Sequence, residues 1–163
     1  MYQIGDKVVY PMHGASVIEA IAEREILGKK KLYYLMTIKN MQVMFPIGSK
    51  MRLRKIVDKN ILEDVLNNFN HTEPDIITNP THRYRNNLNK MKSGDIYEGA
   101  QVIRDLISMS RKKVLAAGDK MMLENARHVL TSELMLVQGL NQVQADDVLD
   151  TVINENEVVN NLS

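Results

Sequence analysis

Residues 31–46 read KLYYLMTIKNMQVMFP, two short runs of β-branched, aromatic and other apolar residues with a turn residue between them. This composition is typical of β-strands. Two earlier runs, Lys7–Tyr10 and Ala15–Ile21, have the same character. Turn signals separate the runs: Pro11–Gly14, Gly28, Asn40 and Ile47–Ser49. Strands this short and this closely spaced predict a small, strongly bent antiparallel β-barrel over residues 1–57.

The remainder of the chain, residues 58–163, has the periodicity of helices rather than strands. Its apolar residues recur every third or fourth position, which indicates helices with one buried face. The polar stretch 70–80 contains two prolines and predicts a loop. Ser93–Asp95 and Gly118 offer helix starts, and Gly139 offers a helix end. The predicted fold is therefore α+β, a small barrel followed by an all-α helical domain.

Composition excludes several classes of protein. The chain has no cysteine, which removes disulfide scaffolds, cysteine-ligated zinc and thiol catalysis. No apolar run approaches the length of a membrane span, so we expect no membrane partner. The N-terminal stretch MYQIGDKVVY is broken by Asp6 and Lys7 and does not read as a signal peptide. These features predict a cytoplasmic protein.

The charge is distributed unevenly although its net value is only +1. Residues 1–70 carry a balance of +4 and residues 82–127 a balance of +5, whereas the segment after Arg127 carries −6. This arrangement favours a charged partner such as nucleic acid. Solvated helix faces are the more ordinary explanation of charge runs, and charge alone leaves both explanations open.

No catalytic or metal-binding pattern is present in the sequence. The histidines have neither the helical i, i+4 spacing nor the neighbouring carboxylates of a metal site. The glycines are isolated turn residues, without a phosphate-binding loop or a nucleophile elbow. We therefore expect no enzyme, no metal and no cofactor. The histidines are His13, His71, His82 and His128.

Three blocks of the sequence are similar to one known family. Ile4–Ala15 (IGDKVVYPMHGA) resembles the N-terminal signature of the CarD family of bacterial transcription regulators, whose Tudor-like barrel also occurs as the RNA-polymerase-interacting module of transcription-repair coupling factors. Arg83–Asp95 and Ala117–Arg127 resemble the first and a later part of the CarD helical domain. The resemblance covers nearly the whole chain in the right order, and the two helical blocks favour CarD over the much longer coupling factor.

The resemblance implies that the barrel docks on the RNA polymerase β subunit, partly by pairing a strand edge with it. Arg24 stands where family members carry a polymerase-contacting arginine. A second such arginine precedes a Val-Pro pair in some members. Here Met44 occupies that position, before Phe45 and Pro46, so this contact is uncharged.

The resemblance also implies that the helical domain lies on promoter DNA at the upstream edge of the transcription bubble. Well-known members carry a tryptophan wedge, and Pro80 stands at the matching position, where a smaller apolar wedge is expected. Tyr84 and Leu88 are expected to be buried and to anchor their helix. The expected DNA-binding residues are Pro80, His82, Arg83, Arg85, Lys90, Lys92, Arg111, Lys112 and Lys113.

The leading hypothesis is a monomeric factor, nucleoid-associated through RNA polymerase, that stabilises the open promoter complex. The missing tryptophan and the acidic C-terminal segment favour an alternative, a polymerase-docking adaptor whose helical domain binds another protein and no DNA. A third hypothesis, an RNA-binding protein, depends only on the barrel and the basic charge. Base stacking would require exposed aromatic residues, and the chain has 2 Phe, 6 Tyr and no Trp.

Overall fold

The computed structural model describes the backbone of residues 1–71 and 73–162, and within this range the side chains through residue 155. This part of the chain forms six strands followed by five helices. The strands are β1 (Lys7–Tyr10), β2 (Gly14–Val17), β3 (Ala20–Ile26), β4 (Lys29–Ile38), β5 (Met41–Pro46) and β6 (Arg54–Lys55). The helices are α1 (Lys59–Asn67), α2 (Pro80–Ser93), α3 (Ile96–Lys112), α4 (Ala117–Gln138) and α5 (Gln142–Leu162). The α+β class expected from the sequence is confirmed.

The strands form two three-stranded antiparallel sheets, with orders β2-β1-β6 and β3-β4-β5. Hydrogen bonding does not join them into one continuous sheet within the described residues, so the small antiparallel barrel expected from the sequence takes the form of two packed sheets. The single strand predicted over Ala15–Ile21 is interrupted at Ile18 and Glu19. The Ile18 amide donates to the Asp6 carbonyl and the Glu19 amide to the Leu35 carbonyl, at 2.9 and 2.8 Å. The backbone thus leaves one sheet and joins the other at this point.

The two sheets enclose a small apolar core of their own. Strand β6 is too short to be read from the sequence, but it completes the first sheet beside β1. Tyr10 packs edge-on against Phe45, with ring centroids 5.0 Å apart, across the space between the sheets. This core is formed by Val8, Ile18, Tyr34, Met36, Ile38, Phe45 and Leu53. We refer to residues 1–57 as the strand region and to residues 58–162 as the helical region.

A projecting hairpin joins β3 to β4. Leu27 and Gly28 form its two-residue turn, and both have left-handed backbone angles, with φ of 53° and 77°. Asn-Gly is the usual pair at such a turn, so Leu27 is an unfavourable choice for backbone conformation alone. Every side chain from residue 23 to residue 32 is exposed, and Leu27 is 98% exposed. We refer to residues 23–32 as the hairpin arm.

Local capping explains where the central helices begin and end. The Asp95 carboxylate accepts hydrogen bonds from the amides of Tyr97 and Glu98, at 2.8 and 3.2 Å, and starts α3 as the sequence predicts. Gly94 ends α2 in the left-handed conformation, with φ of 72°. Gly139 ends α4 in the same way, with φ of 66°, and this prediction is also confirmed.

Helix α4 lies at the centre of the helical region and contacts the other helices. It packs against α1, α2, α3 and α5 and also against strand β2, so it links the two regions. The helical core forms around apolar side chains from all five helices, as the helical periodicity predicts. Its largest fully buried apolar side chains are Leu62, Val102, Ile103, Leu106, Leu134 and Leu149.

Among the side chains that the structure describes, those of residues 1–71 and 73–155, no three His, Asp or Glu side chains gather as a metal site would require. No helix in this part of the chain is long and apolar enough to cross a membrane.

Candidate functional site

The start of helix α2 is fixed by a side-chain cap and a proline. The Asn79 side-chain oxygen accepts a hydrogen bond from the His82 amide at 2.9 Å, which makes Asn79 the N-cap. Pro80 occupies the first helical position, where its missing N–H is not needed. Its ring is exposed. Pro80 therefore has a structural role in starting α2, and its ring also reaches the surface there.

Arg83 points into the protein rather than toward solvent. Its Nε and Nη2 atoms donate to the two carboxylate oxygens of Asp119 at 3.2 and 2.8 Å, and its Nη1 donates to the Ile77 carbonyl at 2.9 Å. The residue is 7% exposed. A guanidinium held in this way cannot reach a phosphate, so Arg83 is removed from the expected DNA-binding set.

Tyr84 and Leu88 differ from each other in burial. Tyr84 is 47% exposed, so its expected role as a buried anchor is wrong. Leu88 is half-buried and packs against the helical core, which agrees with the expectation. The buried face of α2 is formed instead by Arg83, Asn87 and Met91, which are spaced four residues apart. Tyr84 is displaced from that face by one position.

The opposite face of α2 is polar and basic. His82, Arg85, Asn89 and Lys92 are spaced three or four residues apart, and all four are exposed. We call His82, Arg85 and Lys92 the basic strip. Lys90 does not lie on this face. It is half-buried and borders the space between the two regions.

Three further basic residues lie at the end of α3. Arg111, Lys112 and Lys113 are exposed, and the first two occupy the last turn, where positive charge complements the helix dipole. Arg111 also donates to the Ile153 carbonyl at 3.3 Å. Because only Gly94 and Asp95 separate α2 from α3, the end of α3 returns toward the start of α2. The sequence-predicted basic residues other than Arg83 and Lys90 are thus exposed on two adjacent helices.

The loop before α2 is held by a buried carboxylate. Asp105 Oδ1 accepts a hydrogen bond from the Asp75 amide at 3.3 Å and from Arg104 Nε and Nη2 at 3.1 and 3.0 Å. Burial raises the pKa of Asp105, and the neighbouring Arg104 acts in the opposite direction. This cluster positions the segment that leads into α2.

The residues expected to contact the polymerase differ in their exposure to solvent. Arg24 lies in the hairpin arm and is exposed, with Nη1 donating to the Glu23 carbonyl at 3.2 Å. Met44 and Pro46 lie on β5, an edge strand, and are half-buried. Phe45 is buried in the strand core, so its side chain is not a contact surface. Alternation along a strand explains this, because Phe45 faces away from its two neighbours.

Sequence reasoning missed the apolar tip of the hairpin arm. Ile26 and Leu27 are exposed at its end, and Leu32 is exposed at the base of the arm, opposite Glu23. The signal was present in the sequence, since Gly28 marks a two-residue turn with charged residues on both sides. The tip thus combines an exposed leucine with a left-handed backbone conformation that leucine rarely adopts.

The two regions meet along one side of α4. The Ala15 amide donates to Ser132 Oγ at 2.8 Å, and His128 Nε2 lies 3.1 Å from the His13 carbonyl oxygen. The neutral form of His128 can donate from Nε2 to that carbonyl. A Cβ on Gly14 would lie 2.9 Å from His128 Nε2, so only glycine permits this approach.

Protonation of His128 is expected to weaken the fold. Burial lowers the pKa of His128, the charge of Lys39 lowers it further, and the bond to His13 acts in the opposite direction. Because the folded pKa lies below the unfolded one, the unfolded chain binds the proton first as pH falls. The stability that the fold gains from holding His128 neutral is fully present above about pH 6.5, and it is lost as the pH falls below that value. His128→Gln should therefore reduce the fall in melting temperature between about pH 7.5 and 5.5.

The matched control replaces His71, an exposed histidine, in the same way. The melting temperatures of the three proteins would be compared across that pH range. An unchanged pH dependence in His128→Gln would contradict the assignment.

Two family models match this chain, one after the other. Residues 2–57 match the CarD-like/TRCF RID domain, and residues 64–150 match the C-terminal domain of CarD. The chain is 44% identical over 148 residues to a protein of Bacillus subtilis (strain 168) named "Putative transcription factor YdeB". The alignment covers 88% of this chain and 97% of that relative. The protein therefore belongs to the CarD family of transcription regulators and carries that family's RNA-polymerase-interacting domain.

Proposed function

We propose that this protein binds the RNA polymerase β subunit through its strand region and promoter DNA through α2, and thereby stabilises the open promoter complex. One copy would act on each polymerase and would be nucleoid-associated through it. The observation that carries the proposal is the basic strip, which lies on the exposed face of a helix whose opposite face is anchored in the core.

Docking on the polymerase would use a strand edge together with Arg24. Strands β3 and β5 are the two edges of their sheet, and an edge strand presents unpaired backbone groups to a partner strand. Arg24 lies on β3 beside the exposed apolar tip of the hairpin arm. An edge with a cation and an apolar tip next to it suits a partner strand bordered by acidic residues.

DNA binding would be independent of sequence. Basic side chains contact phosphates and position a protein on the duplex without reading base identity. The basic strip, Lys112 and Lys113 supply these charges, and Arg111 lies next to them. The exposed ring of Pro80 stands at one end of the strip, where a small apolar contact with the minor groove would fit.

The effect on transcription would follow from mass action. A protein that binds the open complex more tightly than the closed one shifts the equilibrium by its difference in affinity. Docking on the polymerase keeps the basic strip near the upstream edge of the bubble, so weak DNA contacts are sufficient.

Promoter-opening kinetics with purified polymerase would test the proposal. The expected result is a longer open-complex lifetime with the protein than without it, and an effect that weakens as salt rises. An unchanged lifetime together with retained polymerase binding would favour a polymerase-docking adaptor whose helical region binds a protein. The exposed Asp147 and Asp150 on α5 are the feature that favours this second function.

Arg24→Glu is expected to weaken polymerase binding while leaving the fold intact. The substitution removes an attraction and adds a repulsion at the rim of the proposed interface, which slows association in particular. Binding to immobilised polymerase would be measured at two salt concentrations. Lys59→Glu is the matched control, since it reverses an exposed charge at the first residue of α1. Equal binding by both variants would contradict a role for the hairpin arm in docking.

A further inference from the structure

An ion pair between a half-buried arginine and a buried glutamate connects the strand region to the middle of α4. Arg54 Nη1 and Nη2 donate to the two carboxylate oxygens of Glu133, at 2.6 and 2.8 Å. The side chain of Glu133 is 1% exposed and that of Arg54 is 27% exposed. The pair is therefore a bidentate contact between residues far apart in the chain. It requires a more specific relative orientation of the two side chains than a single hydrogen bond does.

The same guanidinium also holds the end of α2. Arg54 Nε donates to the carbonyl of Gly94, the residue that terminates α2 in the left-handed conformation. Its Nη1 additionally donates to the Lys55 carbonyl at 3.1 Å. One side chain thus joins β6, α2 and α4, and a rotation of α2 relative to the strands would break at least one of these bonds.

Close packing around Gly94 further limits the movement of α2 relative to the strand region. A Cβ at Gly94 would lie 2.9 Å from Pro11 Cγ, so the end of α2 is in direct contact with the turn after β1. Two more side chains of α4 bind the backbone of the strand region. Ser132 is adjacent to Glu133 in the chain, and His128 precedes it by a little over one helical turn. The contact between the regions is therefore polar, directional and tightly fitted.

Stability alone does not account for this arrangement. Replacing a buried ion pair with apolar residues of similar volume is often neutral or stabilising, because taking both charges out of water offsets their attraction. A planar guanidinium with a bidentate partner instead specifies one relative orientation. Here the element whose orientation it specifies is α2, which carries the basic strip.

We propose that Arg54 and Glu133 are positioning residues that hold α2 at a fixed angle to the strand region, so that polymerase docking delivers the basic strip to DNA in one orientation. This inference rests on the proposed function. Its physical basis is effective concentration. Docking on the polymerase strengthens DNA binding by the basic strip only when the structure between the two surfaces holds them in the right geometry. Neither residue touches the partner surfaces assigned above.

Arg54→Lys tests the inference, since it retains the charge and loses the planar fork. The orientation of the regions is measured in the free protein by distances between spin labels on Met41→Cys and Asn89→Cys. The chain has no cysteine of its own, and both positions are exposed. We expect a narrow distance distribution with Arg54 and a broader or displaced one with Arg54→Lys.

The functional readouts are polymerase affinity and open-complex lifetime, measured on the unlabelled proteins. We expect Arg54→Lys to bind polymerase as the parent protein does and to give an open complex about threefold shorter-lived. Arg52→Lys is the matched control, because it makes the same change at an exposed position two residues away. If Arg54→Lys does not fold, Glu133→Gln replaces it, since the amide keeps one acceptor for Arg54.

The possible outcomes separate the two proposals. A narrow, unshifted distance distribution in the variant overturns the positioning role, and so does a changed distribution with an unchanged lifetime. A shorter lifetime that is explained by weaker polymerase binding also overturns it. If the parent protein itself does not extend the lifetime, the proposed function fails, and the distance measurement then decides separately whether the pair fixes the orientation.

Discussion

Asp119→Ala is expected to lower the free energy of unfolding by about 3–5 kcal/mol. The substitution leaves the Arg83 guanidinium buried without its carboxylate, and the backbone carbonyls of Ile77 and Thr78 cannot neutralise the charge. An unpaired buried charge is among the most destabilising changes that a single substitution can make. Urea denaturation followed by circular dichroism would measure the effect.

Two further variants make this prediction specific. Glu124→Ala removes an exposed acid from the same helix and should change stability by less than about 0.5 kcal/mol. The double variant Arg83→Met/Asp119→Leu removes both charges together and should recover most of the lost stability. A loss below about 1 kcal/mol in Asp119→Ala would show that Arg83 finds another partner or reaches solvent.

Arg85→Glu/Lys92→Glu is expected to remove most of the protein's effect on open-complex lifetime while leaving polymerase binding unchanged. Both side chains belong to the exposed basic strip, so the reversal should not disturb the core. Losing two phosphate contacts should reduce the slope of log affinity for duplex DNA against log salt by about 1.8. The two new carboxylates add repulsion from the phosphates.

The control for this variant keeps the same net charge. Lys50→Glu/Lys59→Glu reverses two exposed lysines outside α2. Duplex affinity and open-complex lifetime would be measured for both double variants over a range of salt concentrations. Equal losses in the two variants would show that overall charge, rather than the basic strip, is responsible.

The sequence predicts the strands whose ends are set by nearby turn residues. The bounds of β1 and β5 agree with the sequence-based prediction, because both strands are short apolar runs bordered by turn residues. The break between β2 and β3 was missed because Ile18 and Glu19 are neither glycine nor proline. Backbone hydrogen bonds to Asp6 and Leu35 produce that break, and such tertiary contacts leave no local signal.

The candidate site was predicted less well than the fold, and α2 shows why. Arg83 was expected to face DNA because an arginine in a basic segment is ordinarily exposed. Its partner Asp119 lies 36 residues further along the chain, so the pairing could not be read from α2 alone. The buried face would have been found by aligning Arg83 and Asn87 with Met91, which also places Arg85 and Lys92 outside.

The hairpin arm has a consequence for the energetics of association. Its two-residue turn and its continuous pairing, from Glu23 opposite Leu32 to Ile26 opposite Lys29, leave the arm ordered before any partner arrives. A longer, flexible loop would lose its conformational entropy at the moment of binding, which weakens a complex. In this protein that entropy is lost during folding instead. The turn at Leu27 and Gly28 therefore influences the affinity of the whole arm for a partner, even through residues that the partner does not touch.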